Sequence, residues 1–253
     1  MSDELKLTFT EHLEELRRRL LYSLGAVFAG MILSWFFKEN LLVFVTAPFF
    51  TAWETLPELP VPTLHFASPM EPFIAYLKLS LVAGIFIGSP VVLYHMWRFV
   101  APGLYPKEKR YAMPFVLFST IMFVGGGVIG YIIVFPIGFR FFLTFSGNIG
   151  TVASLVPTIM MNDYLNVAIK MLLAFGVIFE LPLFITFMAL AGIVNYKQLL
   201  RFSRWFIVLS VLAGSLLTPP DVITQICMAI PLIVLYFLAV LMAYLFGPKP
   251  GEI

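Results

Sequence analysis

The 253-residue chain is 60% hydrophobic and only 12% charged, with a mean hydropathy of +0.96. A soluble domain carries about 25% charged residues to stay wetted, so this composition excludes a water-soluble fold and marks an integral membrane protein. A formal charge of +2, with no basic cluster interleaved with aromatics, argues against a nucleic-acid partner. The single cysteine, Cys227, excludes an internal disulfide and any cysteine-built metal cage.

In chain order, Thr8 with Glu11 forms a capping box, which predicts a helix entering the first span. That helix carries His12-Leu13-Glu14-Glu15-Leu16-Arg17-Arg18-Arg19, with Leu13, Leu16 and Leu20 on one face. Its charges admit two readings. Glu15 with Arg19 and Glu14 with Arg18 make i,i+4 pairs worth a few tenths of a kcal/mol each; alternatively, a carboxylate at headgroup level accepts a basic ligand. Leu20 to Phe37 is an apolar run without a small-x-small cleavage pattern, so it is expected to be a retained span and not a secretory signal.

Residues 38–72 contain six prolines (Pro48, Pro57, Pro60, Pro62, Pro69, Pro72), so no long regular helix is expected there. Apolar stretches such as Leu41 to Val45 suit a cap lying across the membrane surface. Further apolar runs follow at 73–94, 113–135, 164–191, 205–217 and 222–245. A helix needs about 20 apolar residues to cross the hydrocarbon, and the fifth run covers only about 20 Å. Either its helix starts inside the preceding loop or the bilayer thins there.

The expected architecture is a single all-α membrane domain over 1–253. It has six transmembrane helices, a short fifth span, a sixth open to being short as well, and a proline-rich outer cap. Twelve of the 16 Lys and Arg residues fall on one side of these spans and only Lys38 and Arg140 on the other. Positive loops stay inside, which places both termini in the cytoplasm.

The first inward loop runs from Trp97 to Arg110, and Glu108 is its lone acid among Arg98, Lys107, Lys109 and Arg110. It either offsets its neighbours or joins Glu15 in a two-carboxylate site that grips two guanidinium groups. Within the spans, Lys78 and Lys170 lie near outer ends and can snorkel. Glu180, flanked by Gly176 and Pro182, lies near mid-span, where a bare carboxylate costs a few kcal/mol. It must be protonated, paired or facing water, and function is its default reading. In the last outward turn Asp221 can cap the final helix, with Gln225 one turn on.

No phosphate-loop, HExxH or GxSxG pattern is present, His12, His65 and His95 lack ligand spacing, and there is no internal repeat. An enzyme, an ATPase and an inverted-repeat transporter all lack support.

Several blocks together resemble the TatC family, the multi-span core of the twin-arginine translocase. They are His12 to Arg17; Ala47-Pro48; Phe73 to Leu79; Leu93-Tyr94 through Ala101-Pro102-Gly103-Leu104-Tyr105 to Glu108; Tyr131 to Pro136; Ala174-Phe175-Gly176 to Pro182; and Leu217-Thr218-Pro219-Pro220-Asp221 with Gln225 and Ala229-Ile230-Pro231. The resemblance implies a receptor that binds twin-arginine signal peptides of folded precursors at the cytoplasmic face. It implies recruitment of single-span TatA and TatB partners, in an oligomeric complex in the bacterial inner membrane driven by the proton-motive force, with no cofactor. It assigns Glu15, Leu16, Arg17, Phe99 and Glu108 to signal recognition, Pro48 to the outer cap, and Glu180, Asp221 and Gln225 to intramembrane polar or partner contacts. Phe237 departs from the family pattern, where many members carry Glu. Two other readings stay open: an ion-coupled transporter pairing Glu180 with Lys78 or Lys170, and a scaffold with no ligand.

Overall fold

The computed structural model describes residues 9–56, 60–100, 112–149, 153–190, 192–217 and 222–246. Thr8, Glu108 and Asp221 lie outside these. Helix α1 (Phe9–Trp35) turns through 89° into α2 (Lys38–Glu54), so α2 lies nearly at right angles to α1. After β1 (Leu64–His65) comes α3 (Glu71–Val100). Helix α4 (Ala112–Ile129) runs through a π-helical turn at Gly130–Val134 into α5 (Phe135–Leu143). Short strands β2 (Gly147–Ile149), β3 (Ala153–Leu155) and β4 (Ile159–Met160) precede α6 (Met161–Phe179), α7 (Leu181–Leu190), α8 (Tyr196–Leu217) and α9 (Val222–Phe246).

The fold is thus an all-α multi-pass membrane architecture, with two small strand pairings added. Strand β1 pairs in parallel with β4, and β2 pairs antiparallel with β3. Among the described residues, four stretches are long and apolar enough to cross a bilayer: Glu71–Phe99, Pro114–Leu143, Met161–Ala189 and Met228–Leu245. The bent α1–α2 pair counts as a fifth. Helix α8 has 22 residues, about 33 Å of rise, but Lys197, Arg201 and Arg204 occupy its first half. The short apolar run at 205–217 therefore belongs to a helix that starts earlier in the chain.

Helix α2 corrects the expectation that the proline-rich segment holds no long helix: it runs for 17 residues with Pro48 buried inside it. Proline has no N–H for the carbonyl four residues back, which leaves Phe44 O without its helical donor. The Tyr131 hydroxyl donates to Phe44 O at 2.7 Å, and its ring stacks on Phe44 at 4.3 Å. Tyr164 likewise donates to Val45 O at 2.7 Å. Tyr131 thus satisfies the carbonyl that the proline opens, and both tyrosines fasten the cap to the helical body.

Small residues set the closest packing. Gly84 and Gly88 on α3 form a GxxxG pair against α1, a spacing that lets helices approach in lipid. A methyl group on Gly84 would lie 2.6 Å from Met31 N and 2.7 Å from Val27 O. Gly126 meets α6 as closely, with its added methyl 2.5 Å from Phe175 O. One core joins α2, α3, α5 and α6 through Phe49, Trp53, Leu79, Phe135, Tyr164 and Phe175; a second, smaller one joins α7, α8 and α9 around Tyr236.

Helix ends follow local chemistry. Pro182 cannot donate to Ile178, which breaks the α6–α7 span at Glu180. Gly192, at φ +70°, closes α7 as a Schellman cap, with Ile193 N bonded to Met188 O at 3.0 Å. Asn195 and Gln198 cap α8 reciprocally, at 2.9 and 3.0 Å.

Candidate functional site

The first candidate site forms where α1 begins and α3 ends. His12, Glu15 and Arg19 recur at i, i+3 and i+7, which puts them on one stripe of α1, and that stripe faces the last turns of α3. The His12 ring stacks on Phe99 at 4.5 Å and 18°. The Arg19 guanidinium is divided between two acceptors: Nη2 donates to Glu15 Oε1, and Nη1 reaches His95 O at 3.5 Å. One turn further, Tyr22 stacks on His95 at 5.4 Å.

This geometry leaves Glu15 half used. Its Oε1 is held by Arg19, while Oε2 is buried and accepts no hydrogen bond among the described residues. His12 Nδ1 lies 4.0 Å from Oε2. A carboxylate oxygen away from bulk water and without a donor is a strong acceptor site for a guanidinium or ammonium group. The foreseen Glu15–Arg19 pair is present, and no Glu14–Arg18 pair forms among the described residues.

The stripe divides the anticipated site residues. Glu15 and Phe99 are joined through His12. Leu16 and Arg17 point elsewhere on α1 and are exposed. His12, Arg19 and His95 were not anticipated as site residues, although the i, i+3, i+7 spacing of the first two with Glu15 was readable in the sequence.

A second polar centre lies inside the bundle. Glu180 Oε2 accepts from Ser119 Oγ at 2.8 Å, and Ser119 Oγ accepts from Trp97 Nε1 at 2.6 Å. Glu180 Oε1 is buried and has no partner among the described residues. Lys78 is held by Asn162 Oδ1 and Asn166 Oδ1 in the first turns of α6, both at 2.9 Å. Neither Lys78 nor Lys170 pairs with Glu180, so the ion pair on which the transporter reading depends is absent among the described residues. Gln225 donates from Nε2 to Val211 O at 2.9 Å and so ties α9 to α8. Pro48 sits in the cap as described above. Among the described residues no group of three or more His, Cys, Asp or Glu is placed to hold a metal.

Comparison with known proteins identifies the family. The model of the family described as Sec-independent protein translocase protein (TatC) matches residues 11–231. The TatC protein of Desulforapulum autotrophicum is 45% identical over 247 residues, covering 98% of this chain and 88% of that protein. The TatC of Aquifex aeolicus is 36% identical, covering 98% and 99%. A crystal structure of the twin-arginine translocase receptor TatC superposes with a TM-score of 0.78 at 35% identity, over 93% of this chain and 99% of that one. On family match, sequence identity along nearly the whole length and shared fold, this chain belongs to the TatC family of protein translocase subunits.

Proposed function

We propose that this chain is the receptor and core subunit of a twin-arginine translocase, which binds the twin-arginine signal peptides of folded precursors where α1 begins and α3 ends. As a translocase component it works in a complex with other Tat subunits, and it is not an enzyme. The observation that carries the reading is Glu15, pinned by Arg19 through one oxygen, while the other is buried and without a hydrogen-bond donor among the described residues. A peptide arginine reaching Oε2 gains a charge-assisted bond at about the strength of two neutral ones. Glu108, with Glu15, would supply the second carboxylate, so that two planar forks are preferred over two lysine ammonium groups. Leu16 and Arg17 sit exposed beside Glu15, where they can meet the rest of the peptide, and Phe99 supplies an aromatic wall.

In this reading the chain is a six-span protein of the bacterial inner membrane, and twelve basic residues against two support a cytoplasmic position for this end of the bundle and both termini. TatA- and TatB-type single-span partners would then meet the membrane-embedded face, with Glu180, Asp221 and Gln225 as its polar positions. Transport itself would draw on the proton-motive force.

The test is binding of a twin-arginine peptide and its twin-lysine form to the detergent-solubilised protein. The twin-arginine peptide is expected to bind at least tenfold more tightly. Glu15→Ala and Glu108→Ala are each expected to weaken it by about 2–5 kcal/mol, as for truncating one partner of a desolvated charge pair. Equal binding of both peptides, unaffected by either substitution, would sink the reading.

A further inference from the structure

We propose that Trp97 and Ser119 are positioning residues that aim the Glu180 carboxyl group and couple it to peptide occupancy at the α1–α3 site. The inference rests on the receptor reading above and adds to it a physical connection into the bilayer.

The last turns of α3 serve two sides at once. Residues two apart on a helix are separated by roughly 200°, so Phe99 faces α1 while Trp97 faces the opposite side. Phe99 stacks on His12, the neighbour of the open Glu15 carboxylate. Trp97 is buried at 3% exposure and wedged against Phe115 at 5.2 Å and Phe187 at 4.8 Å. Movement of the α3 end on one side is therefore transmitted to the indole on the other, because a close-packed side chain moves with its backbone.

From Trp97 the connection is a hydrogen-bond chain of fixed direction. An indole N–H only donates, so Ser119 Oγ is the acceptor at 2.6 Å. The single serine proton is then directed to Glu180 Oε2 at 2.8 Å. Without the indole, the hydroxyl would be free to turn to a carbonyl of its own helix, as the adjacent Thr120 does toward Val116 O at 2.9 Å. Ser119 is 0% exposed, so no water replaces a lost partner. The receiving carboxyl is poised to exchange partners. Its Oε1 is buried with none among the described residues, and it sits at the turn between α6 and α7 that Pro182 imposes, where the Glu180 N–H reaches back only three residues, to Val177 O at 3.1 Å. Two arrangements follow: Glu180 engaged by Ser119, or Glu180 released toward a polar group outside the bundle. Peptide binding, by moving the α3 end, favours release.

The test uses the full chain in lipid nanodiscs and a hydrophobic carbodiimide, with adducts at Glu180 quantified by mass spectrometry with and without a twin-arginine peptide. In the native protein the peptide is expected to accelerate labelling at Glu180 about fivefold or more, the lower end of measured couplings between sites. Ser119→Ala and Trp97→Phe are expected to label fast without peptide and to lose most of the response while still binding the peptide. Ser119→Thr, which keeps the hydroxyl, is expected to keep the response. If peptide binds the native protein without changing the labelling, or if Ser119→Ala responds as the native protein does, the coupling is wrong. Failure of the peptide to bind the native protein is a different result, and it overturns the receptor reading together with the coupling built on it.

Discussion

Glu15 shows how one residue can be both structural and receptive. As an exposed i,i+4 pair with Arg19 it would contribute only about 0.3–0.5 kcal/mol. Arg19, however, is shared with His95 O, so the guanidinium joins Glu15 to α3 as well as to its own helix. A lysine supplies a single point charge and cannot serve both acceptors in a fixed fork. Arg19→Lys is therefore expected to weaken twin-arginine peptide binding about two- to tenfold, the worth of one net hydrogen bond, with little change in thermal midpoint. Unchanged affinity in a titration would show that Arg19 does not orient Glu15. The value of Glu15 as a site residue was readable from its place in the His12 to Arg19 segment, but its open oxygen was not. Which carboxylate oxygen is occupied depends on side-chain geometry across two helices.

Among elements, the contact between α1 and α3 positions the site, because Glu15 and His12 belong to one helix and Phe99 and His95 to the other. The glycines at that contact are close-approach residues. At Gly84 an added Cβ meets backbone of α1 at 2.6 Å, whereas at Gly25 nothing lies within 4 Å. The two positions therefore predict opposite signs. Gly84→Val is expected to destabilise the protein by about 1–3 kcal/mol through overpacking and to weaken peptide binding as the helices separate. Gly25→Ala is expected to be neutral or to stabilise by up to about 1 kcal/mol, since alanine loses less entropy in a helix. Thermal scans of the two variants in one detergent check this, and equal destabilisation by both would refute it. Pro48 was readable as a constraint on the cap but misread as a helix breaker. The donor that rescues Phe44 O comes from Tyr131, 87 residues away, and no local pattern in 38–72 announces it.

For the whole molecule, the large apolar exposure of the described helices has one physical solution, a surrounding bilayer. Residues such as Leu20, Phe28, Ile132 and Leu241 are at least half exposed, which water would penalise and lipid does not. The charge asymmetry supports the proposed orientation, which predicts opposite accessibility for the two faces of the membrane domain. With Cys227 replaced by alanine, Asn148→Cys is expected to react with a membrane-impermeant maleimide on intact spheroplasts, and Arg18→Cys only after permeabilisation. The reverse pattern would invert the topology and move the peptide site to the wrong side of the membrane.

Membrane class, the helical character and the family were determined by the sequence alone. These depend on composition, on apolar run lengths set by bilayer thickness, and on motifs of contiguous residues, all of which survive without knowledge of contacts. The tertiary structure alone decided that one Glu15 oxygen has no donor among the described residues, that Pro48 sits inside a helix, that Lys78 is held by two asparagines, and that Trp97 reaches Glu180 through Ser119. Each of these depends on side-chain geometry that is fixed only when the helices pack, and the bonds of Lys78, Trp97 and Ser119 join residues far apart in the chain. In a medium without water every polar group must find its partner within the protein or on a bound partner, and which one it finds is settled only when the helices pack.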